Sequence, residues 1–185
     1  MIFSIFWIFS IGGCASTQEK KTLSPAELLK KGKNFVKLKE TQKAKEVFQQ
    51  VLEDFPDSKE RKAALLYLAD VHYRDGEYEE AKFHNQKFIE LYPANPRADR
   101  AHYYKAMSDY QMMEIASRDQ THTHAALEGF ETVVKNFPNS PYHPKAVQKK
   151  EECLRILAKS SFEIGKFYYR IKSYQSAIAR LKNLM

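Results

Sequence analysis

Cys14 is the side chain of this sequence that is best placed for covalent chemistry. It directly follows Ile11-Gly12-Gly13, an apolar residue and two small ones. Small residues let a peptidase accept the backbone in a narrow site, and a cysteine thiolate is the nucleophile that takes a diacylglyceryl group. The pattern therefore predicts that Cys14 is acylated and becomes the mature N-terminus. No cofactor is predicted apart from this covalent lipid.

The residues before Cys14 predict an export signal. Residues 1–13 are apolar and uncharged. As a helix of ~1.5 Å per residue they would span only ~20 Å, too little for a ~30 Å hydrocarbon core. A signal peptide fits this length, although no Lys or Arg precedes it, as one usually does in export signals. Together with Cys14 the segment resembles the bacterial lipobox, and the alternative is a buried hydrophobic N-terminus with a chance cysteine.

The residues after Cys14 predict where the lipid holds the chain. We interpret residues 14–23 as a lipidated polar tether. By resemblance to enterobacterial lipoproteins, Asp at position 15 would favour retention in the inner membrane, and this chain has Ala15. The resemblance implies the periplasmic face of the outer membrane. Export argues against nucleic acid as a partner, so we interpret the net charge of +7 as a solvated surface.

The remaining sequence contains no catalytic constellation, so we predict that the protein is not an enzyme. Gly165-Lys166 lacks the preceding glycine of a phosphate-binding loop. His122 and His124, with Asp119 nearby, are candidate metal ligands. Histidines two residues apart do not share a helix face, so a solvated loop without a metal is the better interpretation. Cys153 is the only other cysteine, and we predict that it is buried in a helix.

Small residues at fixed distances from prolines predict the elements of the fold. Phe55-Pro56, Tyr92-Pro93 and Phe137-Pro138 end three segments, and an alanine stands twelve residues before each proline. Antiparallel helices approach closely only where side chains are small, and proline ends the second helix of a hairpin. The predicted crossing pairs are Gly32 with Ala44, Ala69 with Ala81, Ala106 with Ala126, and Gly165 with Ala177. The spacing of 37 residues between Pro56 and Pro93 is close to the ~34 of tetratricopeptide repeats.

These signals predict an all-α fold, a right-handed superhelical solenoid of tetratricopeptide-like helical hairpins. Ser24-Pro25-Ala26-Glu27 is a capping box with proline at the first helical position. Asn95-Pro96 is expected to cap the start of another helix in the same way, and Asp75-Gly76 predicts a turn. The solenoid is expected to occupy residues 24–185, with hairpins at about 24–58, 59–96, 97–141 and 142–185. The predicted helices cover residues 25–38, 41–54, 59–74, 78–91, 97–115, 123–136, 144–171 and 174–184.

Two irregularities of the repeats narrow the family. The third crossing pair is spaced 20 residues instead of 12, which predicts an insert around residues 116–123, and a long helix follows from Pro144. The runs that carry a resemblance are residues 117–121, 125–130, 136–142, 167–169 and 174–178. They resemble the BamD family (ComL/YfiO-like), the tetratricopeptide lipoprotein of the outer-membrane β-barrel assembly machinery. The resemblance runs from Cys14 to the end of the chain.

The resemblance implies a scaffold. It implies that the chain holds the barrel-inserting outer-membrane protein and other assembly lipoproteins, and that it helps to recognise unfolded outer-membrane proteins. One alternative is a Tol–Pal-associated or other periplasmic adaptor lipoprotein, which would lack the insert and the long helix. Another is a periplasmic enzyme whose catalytic domain lies beyond Met185.

The first helix of each hairpin lines the inside of such a solenoid, which makes this surface a candidate peptide groove. Tyr73, Tyr103 and Tyr110 are expected to meet aromatic groups of a bound peptide. Lys33, Lys37 or Arg74 would meet its free carboxylate. The alternative is that these tyrosines only pack the hairpins. The other inward positions are Leu29, Val36, Leu66, Asp70, Met107 and Gln111.

The end of the sequence predicts a truncated solenoid. The resembled family usually has five repeats, and this chain stops inside the fourth. The proline that closes the fourth repeat would fall twelve residues after Ala177, at position 189, beyond Met185. By resemblance, the C-terminal repeats contact the barrel-inserting component, and Arg180 lies on the helix expected to do so.

Overall fold

A computed structural model describes residues 23–182, which form α-helices and no strand. Each helix packs chiefly on its neighbours in sequence, as in a solenoid of helical hairpins. The predicted all-α architecture is confirmed. The helices are α1 (Pro25–Lys37), α2 (Thr41–Asp54), α3 (Arg61–Arg74), α4 (Tyr78–Leu91), α5 (Ala98–Gln111), α6 (Thr121–Asn136), α7 (His143–Arg170) and α8 (Tyr174–Lys182).

The small residues predicted to mark the helix crossings are buried. Ala44, Ala81 and Ala126 are fully covered, and Ala177 is nearly so. Their partners on the first helices are buried as well, namely Gly32, Ala69, Ala106 and Gly165. Close approach of the paired helices therefore depends on these positions, as the spacing predicts.

Three glycines leave no space for a methyl group at these crossings. A Cβ atom added at Gly32 would lie 2.5 Å from the ring of Phe48. One added at Gly129 would lie 2.6 Å from the Cβ atom of Ala106, so Gly129 is a crossing residue that the spacing pattern missed. At Gly165 the nearest atom would belong to the side chain of Leu181, at 2.8 Å.

Two of the three predicted caps and turns are confirmed. The backbone N–H of Glu27 donates to Ser24 Oγ at 3.3 Å, and the backbone N–H of Ser24 donates to the carboxylate of Glu27 at 2.9 Å. Gly76 has a φ of 80°, the left-handed conformation that the predicted turn requires. The predicted cap at Asn95-Pro96 is wrong. Asn95 Oδ1 instead accepts from the backbone N–H of Arg97 at 3.0 Å, and α5 begins after Arg97 without a side-chain cap.

The insert in the third hairpin is longer than the sequence predicts. Helix α5 ends at Gln111 instead of residue 115, and α6 begins at Thr121 instead of residue 123. Asp119 stabilises the start of α6, because its carboxylate accepts hydrogen bonds from the backbone N–H of Thr121 at 3.2 Å and from Thr121 Oγ1 at 3.0 Å. These hydrogen bonds hold the pKa of Asp119 below its usual value.

Helix α7 is the long helix that the sequence predicts. Its 28 residues correspond to ~42 Å at ~1.5 Å per residue. Ala146 and Cys153 in its first half belong to the core shared with α5 and α6, and Gly165 in its second half packs on Leu181 of α8. None of the helices between residues 23 and 182 is both long and apolar enough to cross a bilayer.

Several predictions fall outside the described residues. The signal peptide, Cys14 and residues 15–22 of the tether lie before them, and residues 183–185 lie after them. Leu23, the last residue assigned to the tether, packs on the core formed by α1, α2 and α3.

Candidate peptide-binding face

Side chains on the first helices of the four hairpins form one connected surface, which we call the inner face. Neighbouring first helices are linked across it in turn: Lys33 Nζ lies 5.5 Å from the ring centroid of Tyr67, Asp70 pairs with Arg100, and Tyr110 bonds to Glu152. The members of the inner face are Lys33 on α1, Tyr67, Asp70 and Tyr73 on α3, Arg100, Tyr104, Tyr110 and Gln111 on α5, and Lys149 and Glu152 on α7.

Tyr73 lies at the centre of the inner face and is half-buried. Its ring meets Tyr104 edge-on at 5.5 Å and Tyr78 at 5.3 Å. Its hydroxyl oxygen accepts from Gln111 Nε2 at 3.1 Å. Burial raises the pKa of Tyr73, so the hydroxyl stays neutral and can donate to a ligand.

Tyr103 is a packing residue in this structure. It is only 8% exposed, stacks on Tyr142 with centroids 4.9 Å apart, and lies near Phe130. Tyr104, its neighbour in sequence, is the half-buried ring that faces Tyr73. A peptide on the inner face would therefore meet the ring of Tyr104 more readily than that of Tyr103.

The hydroxyl group of Tyr110 is hydrogen-bonded to side chains of α7. The hydroxyl donates to Glu152 Oε2 at 2.5 Å and accepts from Lys149 Nζ at 3.1 Å. The ammonium group also lies 4.2 Å from the ring centroid, a geometry of cation–π attraction. The hydrogen bond from Lys149 is the main cause that holds the pKa of Glu152 below its usual value. Tyr110 is half-buried and lines the cleft beside the insert, so its ring and not its hydroxyl is what it offers a peptide.

The three cations predicted to meet a carboxylate are all exposed, but their surroundings differ. Lys33 lies over Tyr67 at the edge of the inner face. Lys37 and Arg74 lie near the C-terminal ends of α1 and α3, and within residues 23–182 neither forms an ion pair.

Two clefts open beside the inner face. The first, between α3 and the start of α5, has a volume of about 180 Å³ and is lined by Leu66, Tyr67, Asp70, Arg97 and Arg100. The second, of about 350 Å³, lies between the insert and α7. We call it the insert cleft, and its lining residues are Tyr110, Met113, Glu114, Ile115, Ala116, Ile156 and Lys159.

The sequence of this chain matches the model of a known protein family. Residues 21–185 match the family YfiO, described as an outer membrane lipoprotein. The chain belongs to the YfiO family.

Curated relatives agree with this assignment. The outer membrane protein assembly factor BamD of Caulobacter vibrioides is 32% identical over 178 residues, which cover 94% of this chain and 58% of that protein. BamD of Rickettsia prowazekii is 30% identical over 177 residues, covering 95% of this chain and 70% of the relative. The chain thus spans little more than half the length of the first of these relatives.

A solved structure supports the fold alone. A tetratricopeptide-repeat protein of Thermus thermophilus superposes with a TM-score of 0.50, at 16% identity over 87% of this chain and 90% of that protein. The insert and the long α7 that the sequence predicts are both present.

Sequence reasoning missed half of the inner face of this YfiO-family chain. The missed members are Tyr67, Arg100, Tyr104, Lys149 and Glu152. A signal for two of them existed, because Tyr67 and Tyr104 are 37 residues apart. This is the spacing of Pro56 and Pro93, and also of Tyr73 and Tyr110. No such signal marks Lys149 and Glu152, because α7 departs from the repeat.

The histidines of the insert do not lie in a solvated loop. His122 and His124 belong to the first turn of α6, and His122 Nδ1 lies 3.2 Å from Asp109 Oδ1. Asp109 is buried and also pairs with Lys82 Nζ at 2.6 Å. The described residues contain no group of three or more histidine, cysteine or acidic side chains that could hold a metal ion.

The two remaining candidates have different surroundings. Cys153 is buried in α7 as predicted, 3.9 Å from the sulfur of Met113, and burial raises the pKa of its thiol to about 11. Its thiol therefore stays protonated and unreactive. Arg180 lies exposed on α8.

Proposed function

We propose that this chain is a lipid-anchored scaffold of outer-membrane protein assembly. Cys14 would carry the lipid and hold the solenoid on the periplasmic face of the outer membrane. The chain would bind the barrel-inserting protein and other assembly lipoproteins, with Arg180 on the docking helix. The inner face would take C-terminal segments of unfolded outer-membrane proteins. Membership of the YfiO family and the names of the curated relatives support the setting.

The observation that carries peptide binding is the inner face itself. It combines tyrosine rings with cations and is built from four successive first helices. Aromatic rings offer a peptide large apolar contacts at small entropic cost, and the cations suit a carboxylate. The tyrosine hydroxyls of Tyr73 and Tyr110 are already hydrogen-bonded, so the rings are held in place before a peptide arrives.

Peptide binding can be tested with one matched pair of variants. Tyr73→Ala removes the central ring of the inner face, and Phe83→Ala removes an exposed ring on α4. A fluorescent peptide of ten residues, ending in phenylalanine, is titrated against each full chain. We expect about two- to tenfold weaker binding for Tyr73→Ala, from the ~0.5–1.5 kcal/mol of an aromatic contact. Equal losses in both variants would contradict a site on the inner face.

The lipid anchor needs its own test. Cys14→Ser removes the thiol, so the precursor should stay unprocessed and unlipidated. Two or three acyl chains give stable membrane anchoring where one gives only marginal binding. Cell fractionation and mass spectrometry of the N-terminus measure both results. A variant still cut at residue 14 and still sedimenting with outer membranes would refute the anchor.

The partner assignment is tested by isolating the full lipidated chain from membranes with its bound proteins. Mass spectrometry should identify the barrel-inserting protein and other assembly lipoproteins. Recovery of Tol–Pal components in their place would overturn this part of the proposal.

A further inference from the structure

The cleft between α3 and α5 differs from the rest of the inner face in its guanidinium groups. Arg97 and Arg100 both line it, beside Leu66, Tyr67 and Asp70. Its volume is about 180 Å³, and a water molecule takes ~30 Å³ in the liquid. The cleft therefore has room for a carboxylate group and a few neighbouring atoms.

Arg100 is held in place and keeps one donor unused. Its Nη2 atom pairs with Asp70, and its guanidinium lies 4.7 Å from the ring centroid of Tyr104. Its Nη1 atom is buried and has no hydrogen-bond partner. Buried donors without a partner are rare, because their lost hydration is not replaced. Because Nη1 is covered in this structure, a carboxylate in the cleft would reach this donor only after a small shift of the guanidinium.

The charges of the cleft suit a single negative group. Asp70 neutralises Arg100, and Arg97 is exposed and forms no ion pair within residues 23–182. Lys33 adds a second exposed cation above the ring of Tyr67, the ring that lines the same cleft. Neither Lys37 nor Arg74, the other two cations predicted from the sequence, lines the cleft.

The insert cleft at the other end of α5 has a different character. Met113, Ile115 and Ile156 give it an apolar lining, and Ile115 is 66% exposed. Arg97 and Met113 are sixteen residues apart along α5 and its C-terminal end. At ~1.5 Å per helical residue this is ~24 Å, the length of about seven residues of an extended peptide.

We propose that the Arg97–Arg100 cleft receives the terminal carboxylate of the bound segment, and that the segment runs from there along α5 to the insert cleft. This inference rests on the proposed peptide-binding function and adds a subsite and a direction to it. Arginine binds carboxylates through parallel hydrogen bonds, which lysine cannot form. The terminal aromatic ring then lies against Tyr67, and an apolar side chain near the other end enters the insert cleft.

The carboxylate subsite is tested by comparing two peptides on four full-length chains. The peptides end in phenylalanine, one with a free carboxylate and one with an amide. The wild-type chain should prefer the free acid by about tenfold or more, the value of a charged hydrogen bond. Arg97→Ala should lose most of this preference. Arg74→Ala and Arg118→Ala remove an equal charge outside the cleft and should keep it.

The outcomes separate this inference from the proposed function. If Arg97→Ala keeps the full preference, or Arg74→Ala loses it, the carboxylate subsite is wrong while peptide binding stands. If neither peptide binds to the wild-type chain, the proposed function fails and the subsite fails with it. Circular dichroism of each variant shows that the helices remain.

The direction of the peptide is tested with a photoreactive benzoylphenylalanine at either end. A probe next to the C-terminus should crosslink to residues 66–70 or 97–100, and a probe seven residues earlier should crosslink to residues 113–116 or 156–159. The reverse distribution, or the same distribution for both probes, would overturn the proposed direction.

Discussion

The middle hairpins, α3 to α6, and the terminal hairpin beyond Cys153, which is the later part of α7 with α8, use charge and apolar surface in opposite ways. In the middle, charges pair across helices, as Asp70 does with Arg100 and Lys82 with Asp109. Residues 154–182 carry seven Lys or Arg against one Glu, and the structure records no ion pair among them. The exposed apolar side chains of this segment are Leu154, Phe162, Phe167, Tyr169, Ile171, Tyr174, Ile178 and Leu181.

The difference shows that one repeat signature can build two kinds of surface. The middle hairpins hold their polar groups in fixed contacts, which suits recognition of a defined chemical group. The terminal hairpin leaves cations and apolar groups exposed together, which is typical of a surface that a larger partner covers. The net charge of +7, interpreted from the sequence as a general solvated surface, arises at the two ends of the described chain. Residues 23–45 carry seven Lys against two Glu, and residues 154–182 carry seven Lys or Arg against one Glu.

The comparison predicts a large difference in core energetics. Phe130 is fully buried between Tyr103 and Tyr110, so Phe130→Ala should cost ~3–5 kcal/mol of unfolding free energy. Leu181 is 37% exposed, so Leu181→Ala should cost only about 1 kcal/mol. Urea denaturation followed by circular dichroism measures both. Equal costs would show that the terminal hairpin is as well packed as the middle.

Gly129 and Gly165 test the same difference in packing between the middle hairpins and the terminal hairpin. An alanine at Gly129 would meet Ala106, including its Cα atom at 3.2 Å, and backbone cannot move aside cheaply. We expect Gly129→Ala to cost ~1–3 kcal/mol. An alanine at Gly165 would meet the end of the Leu181 side chain, which can turn toward solvent, so Gly165→Ala should cost less. A reversed order in thermal unfolding would contradict the assigned difference in rigidity.

Lowering the pH should destabilise the middle hairpins and leave the stability of α8 unchanged. Burial, then the neighbouring charges of His72 and Lys87, lowers the pKa of His84 from 6.5 to about 4. Between about pH 7.5 and pH 5, His84 therefore becomes protonated in the unfolded chain but stays neutral in the folded chain. The unfolding free energy should fall by about 2 kcal/mol over this range. His84→Leu should remove most of this dependence, and His102, whose pKa burial also lowers, should account for the part that remains.

The control for this effect lies in the same chain. Residues 154–182 contain no histidine, so hydrogen-exchange protection of α8 should not change over this pH range once intrinsic rates are corrected. A loss of protection confined to α8 would argue that the pH dependence arises elsewhere than at His84.

The smallest expected effect on stability is that of Arg180→Ala. Arg180 is exposed on α8, so the unfolding free energy should change by no more than ~0.5 kcal/mol. Binding to the barrel-inserting protein should nevertheless weaken, if α8 is the docking helix. Lys135→Ala removes an exposed cation from α6 and serves as the control. Unchanged binding in both variants would remove Arg180 from the interface.

The fold could be predicted from the sequence because its determinants are local and periodic. A proline ends a helix and a small residue permits a crossing wherever they occur, so Pro56, Ala81 and Gly165 carry the same meaning in each repeat. The errors fall at Asn95 and at the end of α5. Asn95 makes the same backbone turn as Ser58 and Ser140 at the other hairpin boundaries, so its side chain bonds to Arg97 before the helix begins. At the insert the chain leaves the repeat, and Asp119 bonds to the first residue of α6.

The candidate site could be predicted only in part, because burial is not periodic. Tyr103 and Tyr104 are adjacent, and the sequence alone does not show which ring packs on Tyr142 and which faces Tyr73. The pairing of Asp70 with Arg100 joins side chains 30 residues apart, on two different hairpins. Such links depend on how the hairpins stack, which small residues and prolines do not specify.

The packing of each helix on its neighbours in sequence has a consequence for how the chain folds. Contacts between elements that are close along the chain keep the contact order low, and low contact order is associated with fast folding. In a solenoid, folding can start at any hairpin and spread to the next. A chain that emerges gradually from a translocation pore would therefore fold hairpin by hairpin, α1 with α2 first, before its last helices are available.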